Sequence, residues 1–191
     1  MVGRKYQVNL NKKNWELISR EVVYDGYPYL KVSIDKVKLP SGEIINDYHR
    51  IEVHNAVMLL VENNRNELLV YKEYRHGVSE VSLTFPAGGI EKGESIYDAA
   101  ERELEEETGY TAKDFQLLNN YIVSGSYMFG ELSFIQVRDI HKKEEPKAKD
   151  IENPEHIWMN KEEIMYSLRN KDFKALTYAT AVMQWLLEDE R

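Results

Sequence analysis

Apolar and polar residues alternate in the N-terminal part of the chain. The alternation is clearest over residues 29–37, and residues 18–53 as a whole are predicted to be extended. Pro40 and Gly42 mark a turn into a second strand near 43–52. We therefore expect residues 1–53 to form a small N-terminal antiparallel β unit.

Apolar runs further along the chain predict additional strands, over 56–61, 67–74, 81–85, 115–123, 131–137 and 157–159. Helices are expected after Ser95, over 160–168 and over 173–188, whereas the charged segment 142–150 is predicted to be a mobile loop. Strands on both sides of a central helix, with helices at the end, predict an α/β fold in which a mixed sheet lies between helical layers. Residues 54–191 would form this second domain.

Composition narrows the classes of function. The 191 residues carry a net charge of −8, which argues against binding to a nucleic acid polymer or an anionic membrane. The sequence has no cysteine, so disulfides and thiol catalysis are excluded and a cytoplasmic location is favoured. No segment is long and apolar enough to span a bilayer.

The strongest chemical signal is an acidic helix. Residues 101–107 contain five glutamates around Arg102, and such a helix repels itself unless a cation binds it. Ser95 and Asp98 are spaced as an N-terminal capping box, and Gly109 suits a left-handed C-cap. The residues Ile96, Ala99, Ala100 and Leu104 would face the core. A solvated acidic helix is the alternative interpretation.

Three of these glutamates are spaced for metal binding. Glu103, Glu106 and Glu107 stand at i, i+3 and i+4, so on a regular helix they project to one side. Three carboxylates on one face suit Mg²⁺, or Mn²⁺ as a substitute. Gly88, in the loop before the helix, allows close backbone approach to a ligand.

The spacing of these residues resembles the signature of the Nudix hydrolases. Five residues separate Gly88 from Glu94, and seven more lead to the run Arg102-Glu103-Leu104-x-Glu106-Glu107-x-Gly109-Tyr110. The resemblance implies a Nudix-type α/β/α sandwich and hydrolysis of a nucleoside diphosphate linked to another group X. The segments 24–29, 71–75 and 85–88 are similar to the ADP-ribose pyrophosphatase branch. That likeness implies a homodimer in which N-terminal strands exchange or pack across a two-fold axis.

The resemblance also implies roles for individual residues. Glu103 and Glu107, with Glu106 and the backbone carbonyl of Ala87, would hold the metal, and Arg102 would form a supporting ion pair with Glu94. The general base would be a carboxylate from a loop after the box, with Glu152 first, Glu155 second and Glu131, at a strand start, third. Solvation of a charged loop is the competing interpretation for Glu152 and Glu155.

Nucleotide contacts are expected mainly from the N-terminal unit. Tyr27 and Tyr29 are candidate stacking platforms for the base, with Arg50 over the other face, although strand packing would explain the tyrosines equally well. Arg75 is a candidate phosphate contact or a surface ion-pair residue. The five histidines show no paired metal spacing and are interpreted as structural or surface residues.

Several functions fit the pattern to different degrees. The favoured one is conversion of ADP-ribose to AMP and ribose 5-phosphate, and hydrolysis of another nucleotide sugar such as GDP-mannose is the alternative. The branch usually has a Ser-Pro-Gly segment, but residues 123–126 lack the proline, which weakens the substrate prediction. A non-catalytic nucleotide sensor would typically lose box carboxylates, and an isomerase of this fold would need a cysteine. The sequence leaves the substrate and the number of metal ions open.

Overall fold

The computed structural model describes residues 14–146 and 154–188, and these form two compact units. The N-terminal unit contains residues up to Val53 together with Ser126–Met128. The second unit begins at His54 and contains the remaining described residues. No helix in the described ranges has the length and apolarity needed to cross a lipid bilayer.

The N-terminal unit is a three-stranded antiparallel sheet. Its strands are β1 (Glu16–Gly26), β2 (Leu30–Lys38) and β3 (Ile44–Val53), with β2 in the centre. The first predicted extended segment is thus divided into two strands by a turn in which the Tyr29 N–H donates to the Gly26 carbonyl at 3.0 Å. The predicted second turn is present between β2 and β3, and Gly42 has a φ of +92° there.

Alternate residues of β2 are buried, whereas β1 is exposed along almost all of its length. Asp35 in β2 accepts two hydrogen bonds from Arg20, at 2.7 Å from Nε and 2.9 Å from Nη2. The hydrogen bond from Arg20 lowers the pKa of Asp35 below its ordinary value. On β1 the exposed apolar side chains are Leu17, Ile18, Val22, Val23 and Tyr24.

The second unit contains two sheets. In one, β4 (Ala56–Val61) pairs in parallel with β9 (Met128–Lys142) and antiparallel with the short β7 (Ala87–Gly89), and β8 (Tyr110–Ser124) pairs with β9. In the other, β5 (Leu68–Arg75) lies between β6 (Glu80–Thr84) and β10 (Glu155–Met159), all antiparallel. The predicted mixture of parallel and antiparallel pairing is therefore present.

Helices cover both faces of these sheets. The helix α1 (Ile96–Glu103) packs on a core that includes Val57, Leu59 and Val61 of β4. The helices α2 (Lys161–Arg169) and α3 (Leu176–Glu188) pack on a second core that includes the intervening β4 residues Met58 and Leu60. Because successive strand residues point to opposite faces, β4 is buried on both sides. The predicted α/β/α layering is confirmed.

Element ends differ from the prediction where apolar patterning is weak. The strand β8 begins at Tyr110, five residues earlier than expected, because residues 110–114 mix polar and apolar side chains. The strand β9 continues to Lys142, into the segment predicted to be a loop, and residues 147–150 of that segment lie outside the described ranges. Phe173 is buried as a core residue although α3 begins only at Leu176.

Candidate active site

The acidic helix consists of two parts with different geometry. Ser95 and Asp98 form the predicted capping box at the start of α1, and Gly109 ends the segment with a left-handed φ of +70°. The predicted helix is therefore present with both caps, but residues Leu104–Thr108, between α1 and Gly109, form a π-helical turn. Leu104 and Thr108 are both buried, and the Thr108 hydroxyl donates to the Leu104 carbonyl, which holds the widened turn against the core. Such turns are frequent at functional sites.

The widened turn gives the three glutamates different surroundings. Glu103 is buried and accepts a hydrogen bond from Arg102 Nη1 at 2.6 Å. Glu106 is half exposed and lies 3.4 Å from the same nitrogen. Glu107 instead turns to the glycine loop, where its Oε2 accepts from the Ala87 N–H at 3.1 Å. The spacing i, i+3 and i+4 therefore does not make the three carboxylates equivalent.

The glycine loop, Pro86–Gly89, runs along the edge of β4 in contact with these carboxylates. Gly88 pairs with Val57, and a Cβ atom added at Gly88 would overlap the carboxylate of Glu103. At Gly89 the same addition would meet nothing within 4 Å. An alanine at position 88 would therefore displace the Glu103 carboxylate from the position it occupies beside the loop.

Arg102 connects the loop to the acidic helix. Its Nε and Nη2 donate to the two oxygens of Glu94 at 2.8 and 3.0 Å, which is the predicted ion pair in a bidentate geometry. Nη2 also donates to the Gly89 carbonyl at 2.8 Å. The hydrogen bond from Arg102 lowers the pKa of Glu94, and the hydrogen bond to Glu94 raises the pKa of Arg102. Arg102 is therefore charged and is held in one position between Glu94 and Glu103.

The donor chemistry fits a divalent cation. Burial raises the pKa of Glu103, and the hydrogen bond and charge of Arg102 oppose that rise, so the ionised carboxylate depends on nearby positive charge. Carboxylate oxygens of Glu103, Glu106 and Glu107 are the hard ligands that Mg²⁺ and Mn²⁺ prefer. In residues 14–146 and 154–188, no three acidic or histidine side chains already stand in a metal-binding arrangement. Arg102 Nη1 contacts one oxygen of Glu103 and one oxygen of Glu106, which holds these two carboxylates close together.

Glu131 is held beside the segment that follows the glycine loop. Its backbone N–H donates to Asn55 Oδ1 at 3.0 Å, and the Asn55 carbonyl accepts from the Ile90 N–H at 2.9 Å. The Glu131 carboxylate accepts from Asn120 Nδ2 at 2.8 Å. Asn55 and Asn120 were not predicted from the sequence, since no local motif marks them and each reaches Glu131 from another strand or loop.

The other two candidate bases are placed differently. Glu152 lies outside the described residues. Glu155 forms an ion pair with Lys72 at 3.3 Å, on the face of β5 and β10 opposite to Tyr71 and the acidic helix. A cavity of about 950 Å³ lies on that same opposite face, between the sheet and α2. The structure therefore does not bring Glu155 to the glycine loop.

The candidate nucleotide contacts lie in both units. Tyr27 and Tyr29 flank the turn between β1 and β2, and their side chains are 77% and 83% exposed. Arg50, in β3, donates to Glu52 at 2.8 Å. Arg75 ends β5 in the second unit, and its Nη1 lies 3.3 Å from Glu73.

Comparison with known proteins identifies the family. The profile of the NUDIX domain matches residues 52–180, more than half of the chain. A methanol dehydrogenase activator of Bacillus methanolicus is 30% identical over 134 residues, which are 70% of this chain and 71% of the relative. An ADP-ribose pyrophosphatase of Bacillus subtilis (strain 168) is 30% identical over 110 residues, 58% of each protein.

A solved structure supports the same fold. The crystal structure of an ADP compounds hydrolase matches with a TM-score of 0.78, covering 96% of this chain and 98% of the other at 24% identity. The predicted Nudix-type fold is therefore confirmed, and Nudix hydrolases generally use divalent metal ions. The chain belongs to the Nudix family and is a pyrophosphohydrolase of the branch that resembles ADP-ribose pyrophosphatases.

Proposed function

We propose that this protein hydrolyses the pyrophosphate bond of ADP-ribose, giving AMP and ribose 5-phosphate, with Mg²⁺ as the metal and Mn²⁺ as a possible substitute. The observation that carries the proposal is the convergence of Glu103 and Glu107 on the loop residues Ala87 and Gly88. The Bacillus subtilis relative, an ADP-ribose pyrophosphatase, supports the choice of substrate.

The residues around the loop have different roles in the proposed reaction. Glu103, Glu106 and Glu107, with the Ala87 carbonyl, would hold the divalent ion, which when bound neutralises phosphate oxygens and stabilises developing charge. Arg102 keeps Glu103 ionised and orients it, because the guanidinium is itself anchored on Glu94. Gly88 leaves the space that the Glu103 carboxylate occupies.

A carboxylate would accept the proton of the attacking water. The family resemblance favours Glu152, and the described geometry favours Glu131, which Asn55 and Asn120 hold beside the segment after the glycine loop. Glu155 is the weakest of the three, since its partner Lys72 lies on the opposite face of the sheet.

The nucleotide base would stack on aromatic side chains of the N-terminal unit. The exposure of Tyr27 and Tyr29 supports this role over strand packing within the chain. Arg50 and Arg75 would contact the base and a phosphate, respectively. A homodimer would let the N-terminal unit of one subunit contribute to nucleotide binding.

The proposal is tested by a turnover screen with Mg²⁺ and a panel of nucleotide sugars that includes ADP-ribose and GDP-mannose, with detection of the released nucleoside monophosphate. We expect ADP-ribose to have the highest kcat/KM and to give AMP. Faster cleavage of another nucleotide sugar would replace ADP-ribose while keeping the reaction. Binding of nucleotides without any cleavage would instead indicate a sensor.

A further inference from the structure

Tyr71 is a buried residue that touches the acidic helix without belonging to it. It lies in the middle of the central strand β5, in register with Thr84 of β6 and His156 of β10, and it is only 3% exposed. Its side chain belongs to the core beneath α1. The ring is therefore directed towards the helix that carries the box glutamates.

The hydroxyl of Tyr71 donates to the backbone carbonyl of Glu107 at 3.2 Å. This carbonyl is in the last turn of the helical segment, where carbonyl groups have no partner within the helix. The side chain of the same residue is fixed separately, since its Oε2 accepts from the Ala87 N–H at 3.1 Å. Glu107 is thus held at its backbone by β5 and at its carboxylate by the glycine loop.

His156 fixes the orientation of Tyr71. The two rings stack with centroids 4.3 Å apart and planes 12° from parallel. A stacked neighbour limits rotation of the phenol ring, so the hydroxyl stays directed at the π turn. Through this contact, β10 is linked to the carboxylate at the candidate metal site.

We infer that Tyr71 is a positioning residue for the metal-binding carboxylate of Glu107, with His156 holding the tyrosine in place. The inference rests on the proposed function, in which Glu107 binds a divalent cation. A ligand that is held in position before binding loses less conformational freedom when the cation arrives. Removal of the Tyr71 hydroxyl should therefore weaken cation binding without changing the ligand itself.

A purely structural tyrosine would behave differently. Buried tyrosine hydroxyls usually find an acceptor, and loss of that hydrogen bond lowers the stability of the fold whatever the acceptor does. Stability alone does not distinguish the two roles. Metal affinity and the maximal rate, measured separately on the same variant, do.

The experiment compares Tyr71→Phe and His156→Ala with Tyr166→Phe, a control on the exposed surface of α2. Binding of Mn²⁺ to the substrate-free full-length protein is measured by calorimetry, and kcat is measured at saturating metal. Because one neutral hydrogen bond is involved, we expect Tyr71→Phe to raise the Mn²⁺ Kd about threefold to tenfold. We expect kcat at saturating metal to stay within about twofold of wild type, since the hydroxyl touches no reacting atom.

The remaining outcomes distinguish failure of this inference from failure of the proposed function. His156→Ala should raise the Kd in the same direction by a smaller factor, and it decides the question if Tyr71→Phe does not fold. An unchanged Kd in the folded Tyr71→Phe protein, or in His156→Ala where that variant decides, would overturn the inference and leave the proposed function intact. Failure of the wild-type protein to bind Mn²⁺ at all would remove the proposed function and this inference together.

Discussion

At the residue scale, Gly88 and Gly89 differ in the space that is available for a side chain. A Cβ at position 88 would overlap the Glu103 carboxylate, whereas position 89 has open space. We expect Gly88→Ala to displace Glu103 and to lower kcat/KM for the preferred nucleotide at least about tenfold, because misplacement of a group by about 1 Å can cost about 10²-fold in rate. Gly89→Ala is the matched control and should remain close to wild type. Equal activities of the two variants would show that the contact with Glu103 does not matter.

The general base can be identified from the three candidate carboxylates. Loss of a general base lowers the rate about 10²–10⁴-fold without weakening metal binding. We expect this pattern in either Glu152→Gln or Glu131→Gln, read from kcat and from the half-saturating Mg²⁺ concentration. Glu155→Gln should be close to wild type, since Glu155 pairs with Lys72 away from the glycine loop. Loss of activity in Glu155→Gln alone would contradict the position that the structure gives it.

Local chemistry explains which elements could be predicted from the sequence. The capping boxes at Ser95 and Asn160 and the left-handed Gly109 depend on neighbours within a few residues, and all three are present. The π turn after Glu103 could not be predicted, because it depends on how Leu104 and Thr108 meet the rest of the core.

Contacts that depend on tertiary packing were also not predictable at the candidate site. Tyr71 contacts Glu107 from a separate strand, and Asn120 on β8 contacts Glu131 on the neighbouring β9, so both contacts depend on how the elements pack. The loop position of Gly88, by contrast, was predictable from its place before the helix, although its close neighbour proved to be Glu103.

The pairing of β1 with β2 should depend on pH through Asp35. Arg20 lowers the pKa of Asp35 in the folded protein, so the stabilisation is complete above the unfolded pKa of about 3.9 and is lost as pH falls through the lower folded value. We expect Asp35→Asn to lower the free energy of unfolding at pH 7 by about 1.5–3 kcal/mol, the range for hydrogen bonds to charged groups. The difference from wild type, measured by urea denaturation, should shrink below about pH 4.

An exposed aspartate provides the control for that measurement. Asp25 pairs with Lys31 at 3.1 Å, and its side chain is half exposed, so Asp25→Asn should have a much smaller effect at pH 7. A deficit in Asp35→Asn that stays constant from neutral to acidic pH would show that the ion pair is not its cause.

At the scale of the whole molecule, β1 is the outer strand of its sheet and has no strand on its other side among the described residues. Its apolar side chains are exposed, and an uncovered apolar edge favours association with another chain. We therefore propose a homodimer that covers β1. Light scattering coupled to size-exclusion chromatography should give about twice the chain mass of 22.4 kDa.

Two valines of nearly equal exposure test which surface forms the dimer. Val23 on β1 is 53% exposed and Val81 on β6 is 52% exposed. Val23→Glu should shift the protein to a monomer and weaken nucleotide binding, because charge would be placed at the covered edge, whereas Val81→Glu should remain dimeric. A wild-type monomer at micromolar concentration would reject the dimer and the shared nucleotide site.

The central claim is that box carboxylates act through a divalent ion on a pyrophosphate bond. Its most direct test is a Mg²⁺ titration of ADP-ribose hydrolysis by wild type and Glu107→Gln, with AMP as the measured product. We predict no turnover by wild type in chelator, saturable activation by Mg²⁺, and at least about 10²-fold lower turnover for a folded Glu107→Gln protein. Wild-type turnover that persists in chelator, or near-normal activity of Glu107→Gln at limiting Mg²⁺, would contradict it.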